Sequence, residues 1–377
     1  MLNFPDPVKL KTKKWLWQLI FEEIYKTPDA GTLEQLKELS ARRRAFAVNI
    51  SESSSNTEAT ARHISDGLNS RFEQDLVKLE LYLPLLENLI YNIDLVRKDA
   101  RMACRTSWSS AFSSSCVLNL KGAKFFTVDD LHFERAMCLT LYAGFLRQRG
   151  LEILSTDIVQ SATLLRKAAG VYQYLADEML PSVQSSFSRE RPPEATSPMS
   201  SIMSLICLAE AQAVTLRKAE EKGSTHGILV KLHFGIKEML NEATTVLQQL
   251  RKGCKNISPR LEEFICSCKA LLELRSEKHL AESLEVAEQV GVAIGVVRRA
   301  LNNAKRKMPT NSAWRSVFKQ EMEVVSEKLQ KVERENELVW YHKIPHDHEL
   351  PLLEGKTIVS AIPYKPQMSV YKLVFRT

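Results

Sequence analysis

The sequence predicts a mostly α protein: one elongated helical domain over residues 1–377 with a small β-hairpin. Three observations carry this reading. Apolar residues recur three and four positions apart through most of the chain, strand signals are confined to one serine-rich stretch, and only 13 Gly and 14 Pro interrupt 377 residues. A chain of this length ordinarily splits into two or three domains. A stack in which each helix pair packs mainly on its neighbours escapes that limit. With 44% apolar and 26% charged residues the chain has material for a sizeable core and lacks the composition of a disordered protein.

Taken in order, Lys9 to Lys14 precede Trp15, Leu16, Trp17, Leu19, Ile20 and Phe21, which imitates a signal peptide. Gln18 interrupts that apolar run, Glu22 and Glu23 close it, and no small-residue cleavage site follows, so an amphipathic first helix is expected. No segment approaches the roughly 20 apolar residues a membrane span needs. Helices are then expected at Thr32–Arg44 and Arg71–Arg97, with an exposed loop over Ser51–Asn56. The pieces SSCVLNL and AKFFTV, with Lys121-Gly122 between them as turn residues, predict the hairpin. Helices at Asp129–Leu154 and Asp157–Glu178 follow. Residues 182–200, with Pro192, Pro193 and Pro198, are expected to form a long exposed loop open to proteolysis.

Ser204 to Leu232 reads as an antiparallel helical hairpin. Leu205, Leu208, Ala209, Gln212 and Leu216 stripe its first helix, Gly223 to Gly227 break it, and Ile228, Leu229, Leu232, Ile236, Met239 and Leu240 begin the second, which Gly253 ends. Further helices are expected at Ser258–Arg275, Glu277–Lys305 and Ser312–Asn336. In the last, Phe318, Met322, Val325, Leu329 and Val332 keep a coiled-coil spacing for only about two heptads, too short to stand alone, and so form a seam against neighbouring helices. Gly291 and Gly295 are read as permitting close helix packing.

Catalytic patterns fail one by one. Gly355-Lys356-Thr357 imitates the end of a phosphate-binding loop, but Leu350 stands where its first glycine belongs. There is no Gly-x-Ser-x-Gly elbow, no His-Glu-x-x-His pair and no cysteine in a nucleophile setting. His346, Asp347 and His348, with His342, lie between Pro345 and Pro351 and are read as an exposed polar turn, so no metal and no cofactor is expected. A net charge of +7, spread over mixed-sign helix faces, does not indicate nucleic acid. The seven cysteines, Cys104, Cys116, Cys138, Cys207, Cys254, Cys266 and Cys268, are odd in number and unpaired in spacing, which predicts reduced thiols in an intracellular compartment.

The hairpin at Ser204–Leu232, read together with NELVWYHKIP (Asn336 to Pro345) and GKTIVSAIP (Gly355 to Pro363), resembles the BRO-one domain family of Alix-like and Brox-like proteins. SWSSAF (Ser107 to Phe112), the helix Asp129 to Gly150 and RKAAGVYQYL (Arg166 to Leu175) extend the resemblance over nearly the whole chain. It implies a curved domain of tetratricopeptide-like helix pairs with a short sheet. The implied function is a non-enzymatic adaptor of endosomal sorting, cytoplasmic and recruited to endosomes, whose groove binds the C-terminal helix of ESCRT-III subunits, the charged multivesicular body proteins. Carried over residue by residue, the partner contacts fall on Ile228 and Leu232, at the flank of the second hairpin helix, and on Ile358. Thr215 stands where the family has an aromatic residue, Ser155 and Val159 where it has an acidic residue and a lysine, and Trp340 where it has a tyrosine. The last residues, Val374-Phe375-Arg376-Thr377, hold no lipid-acceptor cysteine, so membrane contact is expected through partners or basic surface. Two alternatives stand beside this: a helical scaffold for another peptide, and a peripheral membrane protein using Lys9 to Phe21 with Arg298, Arg299, Lys305, Arg306 and Lys307.

Overall fold

In the computed structural model, residues 1–2, 4, 8–13, 30–52, 70–96, 105–114, 124–183, 187, 190–254, 256–369 and 373 are described. Nine helices of more than ten residues occur among them: α1 (Ala30–Glu52), α2 (Arg71–Val96), α3 (Leu131–Glu152), α4 (Ile158–Tyr174), α5 (Ser197–Glu221), α6 (His226–Gly253), α7 (Pro259–Val286), α8 (Val290–Arg306) and α9 (Ser312–Glu335). Each packs chiefly on its chain neighbours, so the mostly helical expectation and the stack of helix pairs are both observed.

Local chemistry explains the boundaries. Asp130 caps α3 by accepting from the His132 amide at 2.7 Å, Asp157 caps α4 through the Gln160 amide, and Asn311 caps α9 through Ala313 and Trp314. Gly223, at φ 69°, ends α5: its amide bonds Glu220 O while the Ser224 amide reaches back to Ala219 O, a Schellman pair that only a left-handed residue closes without strain. The expected break at Ser276 is absent. Ser276 is buried mid-helix and its hydroxyl bonds Val230 O on α6; α7 runs on to Val286, where Glu288 (φ 56°) makes the same kind of turn without glycine. Periodicity could not see this, because both sides of Ser276 keep one apolar face.

The sheet has two short antiparallel strands, β1 (Thr106–Ser109) and β2 (Phe125–Val128), in register Thr106 to Val128. β2 falls within AKFFTV as expected. Its partner is Thr106–Ser109, upstream of SSCVLNL, most of which lies outside the described residues. Thr12 bridges Trp108 on the far side of β1, so Lys11 to Lys13 run as an added edge. The rest of the expected first helix, and the loop beyond Glu52, lie outside the described residues.

The expected exposed loop over 182–200 is corrected in its second half, residues 184–186, 188 and 189 lying outside the described residues. Pro192 to Thr196 are buried and α5 already starts at Ser197. Glu194, 1% exposed, accepts from the Ser110 hydroxyl and the Ala111 and Phe112 amides, stitching this segment under the end of β1. Burial pushes its pKa up against the lowering effect of those donors. Proline marks a rigid buried connection here, not an exposed one.

One core spans α1 to α7 and takes in Trp314 and Phe318 at the start of α9; a smaller cluster joins α7, α8 and α9, and another joins α8 to α9. The seam of α9 is covered along its length: Phe318 is buried in the main core, Val325 and Val332 are buried in the smaller clusters, and Met322 and Leu329 pack against those. Contrary to the sequence expectation, α5 is long and apolar enough to cross a membrane, but 72% of its apolar window is buried among its neighbours, as a central core helix requires.

Candidate functional site

After α9 a five-residue π turn, Asn336–Trp340, delivers the chain to Tyr341 at φ 52°. The Asn336 carboxamide then holds both backbone groups of His342, accepting from its amide and donating to its carbonyl, each at 3.0 Å. An asparagine at this point converts the helix end into a reversal. From here an extended strap, residues 342–369, runs back across the helices.

Four of its crossings are seated on a helix backbone without a side chain. Lys343 O lies over Gly291, Leu350 over Gly295, Lys356 O over Gly235 and Ile362 O over Gly170; a Cβ at any of the four would fall inside van der Waals contact with the strap. Gly291 therefore admits the strap backbone, and Gly295 the Leu350 side chain of the strap, where a packed helix was expected. Strap hydrogen bonds repeat the order: the Lys356 amide to Lys231 O on α6, the Ile362 amide to Arg166 O on α4 and the Ser369 amide to Pro84 O on α2.

At the middle crossing sits Gln212 of α5, fully buried. Its Nε2 donates to Leu232 O on α6 and to Lys356 O on the strap, both at 2.9 Å, and its Oε1 accepts from the Ile358 amide at 3.0 Å. One carboxamide thus satisfies three backbone groups from two other elements. A polar residue in an otherwise apolar stripe is the signal for this role in the sequence, where Gln212 reads simply as part of the stripe.

The four expected contact residues gather around this junction. Ile358 is held by Gln212 and is 46% exposed; Ile228, one turn before Leu232 on α6, is 52% exposed. Leu232 departs from the expectation: only 5% exposed, it belongs to the main core, its place on the apolar stripe of α6 turning it inward with Leu229, Ile236 and Leu240. Thr215, half-buried one turn past Ala211, turns its hydroxyl onto Ala211 O. Val359 packs with Ile158 and Ala162 of α4, and Val159 beside them is 60% exposed; Ser155 is exposed. The edge formed by α4, the strap and α6 thus presents Val159, Ile358 and Ile228 to solvent, with Lys231 and Lys356, also exposed, joined through their backbones between them.

Other candidate groups lie elsewhere. Trp340, 37% exposed, lies beside His342, and Leu338, Val339 and Tyr341 around it are more exposed still. Arg298, Arg299 and Lys307 pair with Glu333, Glu277 and Glu273, which reduces the basic surface the membrane alternative relies on. The five described cysteines, Cys138, Cys207, Cys254, Cys266 and Cys268, are free. His346 and His348 stack in an exposed turn, and neither joins the two groups of described residues close enough to hold a metal, Glu220-His233-His279 and His226-His279-Glu282.

The family model of the BRO1-like domain matches residues 9–376. The chain is 24% identical to the mouse BRO1 domain-containing protein BROX over 310 residues, 78% of this chain and 74% of that protein, and 23% identical to its human counterpart over 77% and 73%. Among solved structures it is similar to the ALIX BRO1 CHMP4C complex, with a TM-score of 0.71 at 18% identity over 94% of both chains. It is similar also to ALIX in complex with the SIVmac239 PYKEVTEDL late domain, with a TM-score of 0.72 over 94% of this chain and 48% of that one.

Proposed function

The chain belongs to the BRO1-like domain family, and from that premise we propose that it is a non-enzymatic adaptor of endosomal sorting, cytoplasmic and recruited to endosomes, which takes the C-terminal helix of an ESCRT-III subunit on the α4–strap–α6 edge. The observation that carries the reading is the pair Ile228 and Ile358, both about half exposed, on α6 and on a strap that Gln212 ties to α6 through Leu232 O and the Ile358 amide, beside Lys231 and Lys356. An amphipathic helix lays its apolar face on such an edge, and acidic residues along its border meet the lysines. The likeness to the ALIX BRO1 CHMP4C complex over 94% of this chain supports that class of partner. Val159 offers an apolar contact where the family's lysine would attract a carboxylate, which favours subunits whose helix is apolar at that point.

Titrating ESCRT-III C-terminal peptides against the wild type, Ile228→Asp and Ile358→Asp, with thermal melts on the same samples and liposome flotation alongside, tests this. A charge placed in a contact that must desolvate costs at least the ~2 kcal/mol of a hot spot, so binding falls roughly 30-fold or more while the melts stay near wild type. Leu232→Asp is expected to unfold the protein instead, since Leu232 is core. Unchanged affinity in folded Ile228→Asp and Ile358→Asp would remove this edge as the site and leave the scaffold reading; flotation without peptide binding would favour the membrane reading.

A further inference from the structure

We propose that Glu220, His233 and His279 form a binding site for a divalent transition ion of the zinc class, at the junction of α5, α6 and α7. Glu220 ends α5, His233 lies two turns into α6, and His279 faces both from α7. The Glu220 Oε1 atom is 3.4 Å from His233 Nε2 and 3.6 Å from His279 Nε2, and the three donor atoms lie within 4.8 Å of one another. Ligands about 2.0–2.1 Å from a tetrahedral ion stand about 3.4 Å apart along each edge, so these separations are those of a nearly assembled site. Two imidazole nitrogens and one carboxylate oxygen are a donor set that suits zinc.

Two further observations point to a ligand. His233 is 2% exposed, yet its Nδ1 has no hydrogen-bond partner, and its Nε2 meets Glu220 at ion-pair distance without hydrogen-bond geometry. A buried imidazole left in this way is uncommon. His279 has the arrangement of a supported ligand: Nδ1 stands 2.8 Å from Glu282 Oε2, and a proton shared there leaves the Nε2 lone pair directed at Glu220 and His233. The second group, His226, His279 and Glu282, has separations of 2.8 to 3.4 Å that ordinary hydrogen bonds already explain. Glu220 is 41% exposed, which leaves a route from solvent and room for a water as fourth ligand.

An ion here ties the end of α5 to α6 and α7 beside the Gly223 turn, clamping the hairpin whose second helix carries Ile228. The site stands whether or not that edge binds a helix. The test is Zn²⁺ titration of the chelator-stripped full chain against a chromophoric competitor, on wild type, Glu220→Gln, His233→Gln and Glu282→Gln, each also melted with and without Zn²⁺. Wild type is expected to bind one equivalent tightly and to melt higher with the ion. Glu282→Gln, which removes only a supporting carboxylate, is expected to weaken binding roughly 10–100-fold, and the two ligand variants to weaken it further. Cys266→Ser, the exposed thiol, leaves the affinity unchanged. Glu220 is a surface position, so Glu220→Gln keeps the fold and the test holds even if the buried His233→Gln does not. No saturable binding by wild type, or undiminished binding by a folded Glu220→Gln, overturns the proposal and leaves the cluster as a set of His–Glu pairs.

Discussion

Arg147 of α3 and Glu210 of α5 show how single residues hold this stack together. Both side chains are buried, joined by two hydrogen bonds of 2.6 and 2.5 Å, and the remaining guanidinium arm donates to Phe4 O. Desolvating either ion alone is expensive, so each exists inside only because of the other. Glu210→Gln is expected to cost ~3–5 kcal/mol in urea denaturation, while Arg147→Met with Glu210→Leu costs far less, since no charge is then left unpaired. Equal losses in both would show that the pair is held for packing and not for charge. Glu134 plays the same part for Arg43 and adds the Trp108 indole at 2.6 Å, which anchors β1 to α3. Neither pairing was legible in the sequence, because the partners are 63 and 91 positions apart in regions that read simply as amphipathic helix.

At the scale of elements, the strap decides the architecture. Its seats are glycines, and the consequence of adding a methyl depends on what lies above. Gly170→Ala drives a Cβ into Ile362 O, backbone that has no rotamer to yield, whereas at Gly227, in the first turn of α6, nothing lies within 4 Å. Gly170→Ala is therefore expected to destabilise by ~1–3 kcal/mol and to speed proteolysis within residues 343–369. Gly227→Ala is expected to stabilise by up to ~1 kcal/mol through reduced freedom of the unfolded chain. Limited proteolysis with chemical denaturation of both variants checks the contrast, and two losses of equal size would mean the strap is not the cause. The helices themselves were readable, with caps at Asp130, Asp157 and Asn311 close to their expected starts. The strap was not: Gly355 to Pro363 carries β-prone residues but pairs with helix backbones and a glutamine, and no periodicity encodes such a partner.

Across the whole molecule, neighbour-only packing predicts uneven stability. The α1 to α7 core is one contiguous body that takes in Trp314 and Phe318 from the start of α9, while α8 and the later turns of α9 are held by two small clusters, Val297 and Val325 in one and Ile294 and Val332 in the other. Hydrogen exchange should show amides of α8 and of α9 beyond Phe318 opening at lower free energy than those of α3 to α6, as a sub-global unit. If α9 exchanges only with global unfolding, the strap couples the layers more strongly than the apolar contacts do.

What the sequence determined by itself was the helical class, most helix boundaries, the short β2 strand and the family resemblance, because these rest on local chemistry: periodicity, caps, turn residues and ordered motifs. It also placed Ile228, Leu232, Thr215 and Ile358 near one another through that resemblance. Only the tertiary structure decided that Leu232 faces inward while Ile228 faces out, that Gln212 binds α6 and the strap together, that Pro192 to Thr196 are buried, and that three histidines from the α6–α7 pair meet two glutamates. The reason is common to all four. Apolar spacing states which face of a helix is covered, but the identity of the covering group is set by how distant backbones cross, and a hydrogen bond or an imidazole cluster exists only once they have crossed.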